Sequence, residues 1–200
     1  MSFILNLIKK ALNVFTRKKN SMLPYRLKSY MKEIKASLVD LDESIESVFA
    51  EMYATHLNKK RIWILGNGGS LAIAQHFAQD LLKLCGVRAE ALNCPSIITA
   101  YANDDQFEYS YFNPLNKLSD EGDLIFIFSC SGKSRNYIEF VSGFADSGKK
   151  NRIVSVIGTD GGFLKDKSDA CVHIKSDDYQ VCESAFCIVS DILIKSLMEV

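Results

Sequence analysis

The sequence has no net charge, no long apolar run and no Cys-x-x-Cys pair. It contains 24 Lys and Arg residues and 24 Asp and Glu residues among 200, so its formal net charge at pH 7 is zero. A surface built to neutralise nucleic-acid phosphates is therefore not expected, and the balanced charge favours a small molecule or another protein as the partner. Because no apolar run reaches the roughly 18 residues that span a bilayer, we expect no transmembrane segment.

The six cysteines are scattered between residues 85 and 187 and are not paired in sequence. They are Cys85, Cys94, Cys130, Cys171, Cys182 and Cys187. A core of this size does not need disulfides, so we expect free thiols, most of them buried as small apolar groups. Free thiols suit a reducing compartment, which predicts a cytoplasmic location.

Residues 1–22 are interpreted as a separate amphipathic tail. Its apolar residues have helical spacing, but Lys9 and Lys10 interrupt them, and no small-residue cleavage site follows, so a signal peptide is not predicted. Two hypotheses stay open for this tail. It would pack as a helix against a partner subunit, or it would lie on a membrane surface.

In residues 23–200, interpreted as a single domain, apolar strands alternate with helices. Helical spacing predicts one or two long helices over 23–57 and later helices near 70–84, 136–145, just after 159–162, and 180–198. Short apolar runs predict strands at 61–65, 89–92, 123–129, 152–158 and 170–174. This alternation predicts an α/β fold, a doubly wound five-stranded parallel sheet of the flavodoxin-like kind, behind a long N-terminal helical segment. Ligands bind such sheets beyond the carboxyl ends of the strands.

Two strand-to-helix junctions have the composition of anion-binding loops. We call them the glycine loop (GNGGS, residues 66–70) and the serine loop (SCSGKS, residues 129–134). Glycines let the backbone approach a ligand, helix N–H groups point at it, and serine hydroxyls add donors, which suits a phosphate monoester. Lys133 would add positive charge, whereas the alternative is that the serines only cap helices. Neither GxxxxGK[ST] nor GxGxxG spacing occurs, so no nucleotide cofactor is expected.

These loops belong to a longer series of motifs. AQHFAQDL (74–81), ITAYANDDQFE (98–108), GDLIFIFSCSGKSRN (122–136) and GTDGG (158–162) follow the glycine loop in order. With them, residues 25–200 resemble the sugar isomerase (SIS) domain family, and within it the phosphoheptose isomerases. The resemblance implies a phosphosugar substrate, interconversion of a ketose and an aldose phosphate, and a homotetramer with its sites at subunit interfaces.

The resemblance also implies which residues bind substrate. They are Asn67, Gly68, Ser70, Asn103, Asp104, Ser129, Cys130, Ser131 and Ser134. The serines would hold the phosphate, Asn67 would line the pocket, and Asn103 and Asp104 would lie near the sugar. Cys130 stands where threonine is common in the family, and its backbone N–H can still donate.

The catalytic positions match the family less well. The family has a histidine and, four residues on, a glutamate, then on the last helix a glutamine and, eight residues later, a histidine. The corresponding residues here are His76, Asp80, Cys182 and Ser190. Isomerisation through an enediol needs a base for a carbon-bound proton and an acid for the carbonyl oxygen. We expect Asp80 and His76, which share a helix face, to be the catalytic residues.

Two further hypotheses follow from the resemblance. Several family members bind zinc through the four positions above, and His76, Asp80 and Cys182 have the ligand types for a zinc site with an open position. The alternative is that Cys182 only fills apolar space. The second hypothesis concerns function: a SIS protein that binds a phosphosugar or a protein partner without catalysis, like the family relatives that promote assembly of a replication initiator on DNA.

Overall fold

The computed structural model describes residues 22–200, so residues 1–21 of the tail predicted over residues 1–22, and with them both hypotheses for it, lie outside the described residues. The helices are α1 (Met22–Ser37), α2 (Asp42–Leu57), α3 (Gly69–Cys85), α4 (Pro95–Asp104), α5 (Phe112–Leu118), α6 (Arg135–Asp146), α7 (Gly162–Lys165) and α8 (Tyr179–Met198), with a 3₁₀ turn at Phe107–Tyr109. The strands are β1 (Ile62–Gly66), β2 (Ala89–Ala91), β3 (Leu124–Ser129), β4 (Arg152–Ile157) and β5 (Ala170–His173).

The strands of residues 22–200 form one parallel sheet in the order β2-β1-β3-β4-β5. This confirms the predicted α/β fold with its five-stranded parallel sheet. β2 pairs with one edge of β1, and the next strand in sequence, β3, pairs with the other edge. The direction in which strands are added therefore reverses between β1 and β3. Crevices for ligands open at such reversals, beyond the carboxyl ends of the strands.

Alternate residues of the central strands pack on opposite faces of the sheet. On one face Ile62 and Ile64 of β1 lie in a core with residues of α2, α3 and α8. On the other face Trp63 and Leu65 lie in a core with residues of α5 and α6. Both faces are buried because helices cover both, which explains why the strands are continuously apolar in sequence.

The chain divides into two units between Ala36 and Ser37. The segment predicted as one or two long helices is two, α1 and α2, with Asp40 in the left-handed region at φ 58° between them. The interpretation of residues 23–200 as one domain stays a prediction. Among the described helices, none combines the length and the apolar character needed to cross a membrane.

The buried carboxylate of Asp123 links the ends of β1 and β3 that lie away from the proposed ligand edge. Its Oδ1 accepts a hydrogen bond from the Arg61 N–H at 2.9 Å. Its Oδ2 accepts from Trp63 Nε1 at 3.1 Å and from the Asp120 N–H at 2.9 Å. Asp123 is only 3% exposed, so these N–H groups replace the water that the carboxylate loses.

Asp123→Asn is expected to lower the free energy of unfolding by about 2 kcal/mol, because an amide NH₂ would face N–H donors that now meet a carboxylate. Urea denaturation followed by circular dichroism measures this change. Asp146→Asn, at the exposed end of α6, is the matched control and should shift stability by no more than about 0.5 kcal/mol. Equal midpoints for both variants would contradict the structural role given to Asp123.

Candidate functional site

A cavity of about 290 Å³ opens beyond the carboxyl ends of β1 and β3. The glycine loop, the serine loop and the start of α8 surround it. Its lining residues are Asn67, Gly68, Gly69, Ser70, Phe128, Ser129, Cys130, Ser131, Ser134, Tyr137, Tyr179 and Glu183. The fold therefore brings together all the predicted substrate-binding residues of the two loops, at the edge where the sheet topology predicts a ligand.

Glycines allow the sharp backbone turns of both loops. Gly68 and Gly132 have φ values of 56° and 61°, in the left-handed region that favours glycine. A Cβ on Gly132 would also stand 1.9 Å from the carbonyl oxygen of Gly161. The serine loop thus packs directly on the GTDGG segment, which supports the loop without lining the cavity.

The serine loop presents hydrogen-bond donors to the cavity. Ser134 stands at the N-cap of α6 but makes no capping hydrogen bond, so its hydroxyl is available. Within residues 22–200, the backbone N–H groups of Ser131 and Ser134 also have no hydrogen-bond acceptor. The amino ends of α3 and α6 both face this edge and favour an anion through their dipoles. Helix capping alone therefore does not account for these serines.

Hydrogen bonds hold the walls of the cavity. Asn67 and Asn136 exchange two side-chain hydrogen bonds of 3.0 Å each, which joins the glycine loop to α6. The Tyr111 hydroxyl donates to the carbonyl oxygen of Gly66 at the end of β1. Burial raises the pKa of Tyr111 to about 12, so this hydroxyl remains a donor at neutral pH. Asn67 is oriented by these contacts before any ligand arrives.

Lys133 does not line the cavity, so the prediction that it adds positive charge to the phosphate site is wrong. Its Nζ lies 2.6 Å from Asp160 Oδ2 in an exposed ion pair. The hydrogen bond from Lys133 lowers the pKa of the Asp160 carboxyl. An anion in the cavity would be stabilised instead by backbone N–H groups and by the amino ends of helices.

Three cavity residues were not among the predicted substrate-binding residues: Tyr137, Tyr179 and Glu183, the last of which the sequence places beside the proposed zinc ligand Cys182. Glu183 is a carboxylate, and its Oε1 lies 2.3 Å from where a Cβ on Gly69 would stand, so it rests on the first turn of α3. Burial raises the pKa of Tyr137, whose hydroxyl donates to the Phe128 carbonyl at 3.3 Å. The sequence carries no signal for this grouping, because it arises from the packing of α6 and α8 against the loops.

Asn103 and Asp104 do not line this cavity. They are exposed at the end of α4, where Asn103 Nδ2 donates to Asp104 Oδ1 at 2.8 Å. Asp104 lines a different cavity of about 420 Å³, together with Ser96 and Tyr101. The helix α4 follows the edge strand β2, and the two cavities share no lining residue.

The predicted catalytic residues lie in another cavity, of about 130 Å³, between α3 and α8. His76 Nε2 and Asp80 Oδ2 are 3.2 Å apart across one helical turn. Ser190 lines this cavity with them, but its hydroxyl donates to the Phe186 carbonyl at 2.8 Å. The next residue of α8, Asp191, lines the cavity as well. This cavity and the serine-loop cavity share no lining residue.

The proposed zinc ligands are not assembled. Cys182 is fully buried, its Sγ donates to the Ser176 carbonyl at 3.2 Å, and it lines neither cavity. Among residues 22–200 no group of three or more His, Cys, Asp or Glu side chains is arranged to hold a metal. His76, Asp80 and Cys182 therefore do not fit the predicted zinc site, because Cys182 points into the core beside the serine loop.

Comparison with known proteins agrees with the fold. The sequence pattern described as the SIS domain matches residues 27–158. A phosphoheptose isomerase of Geobacter metallireducens is 33% identical over 165 residues, which cover 80% of this chain and 86% of that protein.

Solved structures show the same fold. A phosphoheptose isomerase from Francisella tularensis superposes with a TM-score of 0.81 at 22% identity, covering 89% of this chain and 97% of the other. A phosphoheptose isomerase from Neisseria gonorrhoeae superposes with a TM-score of 0.81 at 23% identity, with the same coverage of 89% and 97%. At these identities the likeness bears on the fold.

Proposed function

The chain belongs to the SIS domain family, and from this premise we propose that it is a phosphosugar isomerase acting on sedoheptulose 7-phosphate. The relatives named phosphoheptose isomerase support this substrate and reaction. The product would be D-glycero-D-manno-heptose 7-phosphate, a precursor of the heptose in lipopolysaccharide. A cytoplasmic location, expected from the free thiols, remains part of the proposal.

The observation that carries the proposal is the cavity between the glycine and serine loops. Its unpartnered N–H groups at Ser131 and Ser134 and its available hydroxyls are donors suited to a dianionic phosphate ester. The phosphate would anchor one end of the sugar there. Binding energy from this remote group then positions the reacting carbons, which is how phosphosugar enzymes gain rate from a non-reacting part of the substrate.

The reaction moves two protons and needs no redox cofactor. A base takes a proton from C1 of the ketose, and the electron pair of that C–H bond forms the C1–C2 double bond of an enediol while an acid protonates O2. The base then returns the proton to C2, and O1 loses its proton as the aldehyde forms. We assign the base to Asp80, with its partner His76 at 3.2 Å.

Since His76 and Asp80 line a cavity separate from the serine loop, the proposal requires them to come from a second copy of the chain. A homotetramer with sites at the interfaces would supply them. The 68% exposed side chain of His76 supports this arrangement, because it leaves the imidazole accessible to a neighbouring subunit.

Incubation of the purified protein with sedoheptulose 7-phosphate, followed by NMR in D₂O, tests the reaction. We expect aldose phosphate to form with deuterium at C2, since the base exchanges its proton with solvent. Saturable binding without product or exchange would contradict the isomerase and favour the phosphosugar-binding hypothesis. Absence of both turnover and binding would contradict the phosphate site as well.

A further inference from the structure

Two cysteines meet behind the serine loop. Cys130 directly follows β3, lines the phosphate cavity and is 7% exposed. Cys182 lies in the first turn of α8 and is fully buried. The Cys130 Sγ lies 3.8 Å from the carbonyl oxygen of Tyr179, three residues before Cys182 and thus on the same turn of α8.

Gly158, the first residue after β4, packs against both cysteines. A Cβ at this position would stand 2.4 Å from Cys182 Sγ and 2.8 Å from the Cys130 carbonyl oxygen. Because residue 158 has no side chain, both cysteines pack directly against the backbone that follows β4. This common contact places Cys130 and Cys182 on the same side of the serine loop.

The two thiols also influence each other's ionisation. The interaction between the two neighbouring side chains is the main cause of a lower pKa for the Cys182 thiol, about 7, and of a higher pKa for the Cys130 thiol. Of the two thiols, Cys182 therefore loses its proton more readily than Cys130. A thiolate is the form of cysteine that reacts with peroxides and disulfides.

We propose that a peroxide oxidises Cys130 and Cys182 to a reversible disulfide. The disulfide would weaken phosphate binding in the cavity between the glycine and serine loops. A thiolate of the pair attacks one oxygen of hydrogen peroxide, forming a sulfenic acid as the O–O bond breaks and hydroxide leaves to become water. The second thiol attacks the sulfenic sulfur, and a second water leaves as the S–S bond forms. Two thiols lose two electrons and two protons, and one peroxide becomes two waters.

The disulfide would displace the serine loop. It holds two sulfurs about 2 Å apart, well inside van der Waals contact, so Cys130 must move toward α8. Because Cys130 stands between Ser129 and Ser131, both serines move with it. Donors that were placed for a phosphate then lose their alignment, and hydrogen bonds weaken steeply with misalignment.

The experiment treats the full-length protein with hydrogen peroxide, alkylates the remaining thiols in denaturant, and maps the peptides by mass spectrometry. We expect a peptide joining Cys130 to Cys182, while exposed Cys187 on the same helix is recovered as an alkylated thiol. Calorimetry with inorganic phosphate should show binding about tenfold weaker after oxidation, which corresponds to about 1.4 kcal/mol. Dithiothreitol should restore it.

Cys182→Ser is the matched variant and Cys187→Ser its control. The first should bind phosphate equally before and after peroxide, and the second should lose affinity as the unmodified protein does. Recovery of both Cys130 and Cys182 as alkylated thiols would overturn the proposal, as would a joined pair with unchanged phosphate affinity. The peptide map measures the disulfide directly and does not depend on catalytic activity. This test can therefore fail or succeed independently of the proposed isomerase function.

Discussion

Ser131→Leu is expected to weaken binding of sedoheptulose 7-phosphate by more than about a hundredfold. The leucine side chain would remove a hydroxyl at the cavity and cover the unpartnered N–H beside it. Loss of two hydrogen bonds to a charged group costs on the order of 3 kcal/mol, which exceeds a hundredfold in affinity. Isothermal titration calorimetry with the sugar phosphate measures the change.

Ser142→Leu is the control for this experiment, because Ser142 is exposed on α6 and away from the cavity. It should bind the sugar phosphate as the unmodified protein does. Both variants should keep the same far-ultraviolet circular dichroism, which separates loss of binding from loss of folding. Retained affinity in Ser131→Leu would remove the serine loop from the phosphate site.

Asp80→Asn is expected to lower kcat by a factor of about 10² to 10⁴, the usual range for loss of a general base. The KM should change little, because Asp80 does not line the cavity assigned to the phosphate. Asp80→Glu keeps the carboxylate and adds one methylene, so it should retain most of the activity. Steady-state kinetics on the three proteins give both parameters.

Mixing two impaired variants tests whether a second copy completes the site. In a hybrid of Asp80→Asn and Ser131→Leu subunits, some sites would combine an intact serine loop with an intact Asp80 from the neighbour. We expect such hybrids, made by co-expression, to have activity well above that of either parent. Hybrids without activity, from parents confirmed to assemble together, would contradict a site shared between subunits.

The layout of the sheet was predictable because its signals are local. The runs that became β1, β3 and β4 are apolar without alternation, which is typical of strands covered on both faces. Between these runs, apolar residues have helical spacing, and short glycine and serine junctions connect the elements. Together these features predicted a doubly wound sheet with a ligand-binding edge. The phosphate loops followed from the same junctions, because glycine and serine at a helix start have a local effect on the backbone.

The sequence by itself thus determined the order of strands and helices, the parallel sheet and the two loops at its edge. Only the tertiary structure decided which side chains from distant helices share a cavity. It separates His76 and Asp80 from the serine loop, turns Cys182 toward Cys130, and brings Glu183 onto the start of α3. Periodicity tells which face of a helix is buried, whereas the rotation and crossing of packed helices set which residues meet.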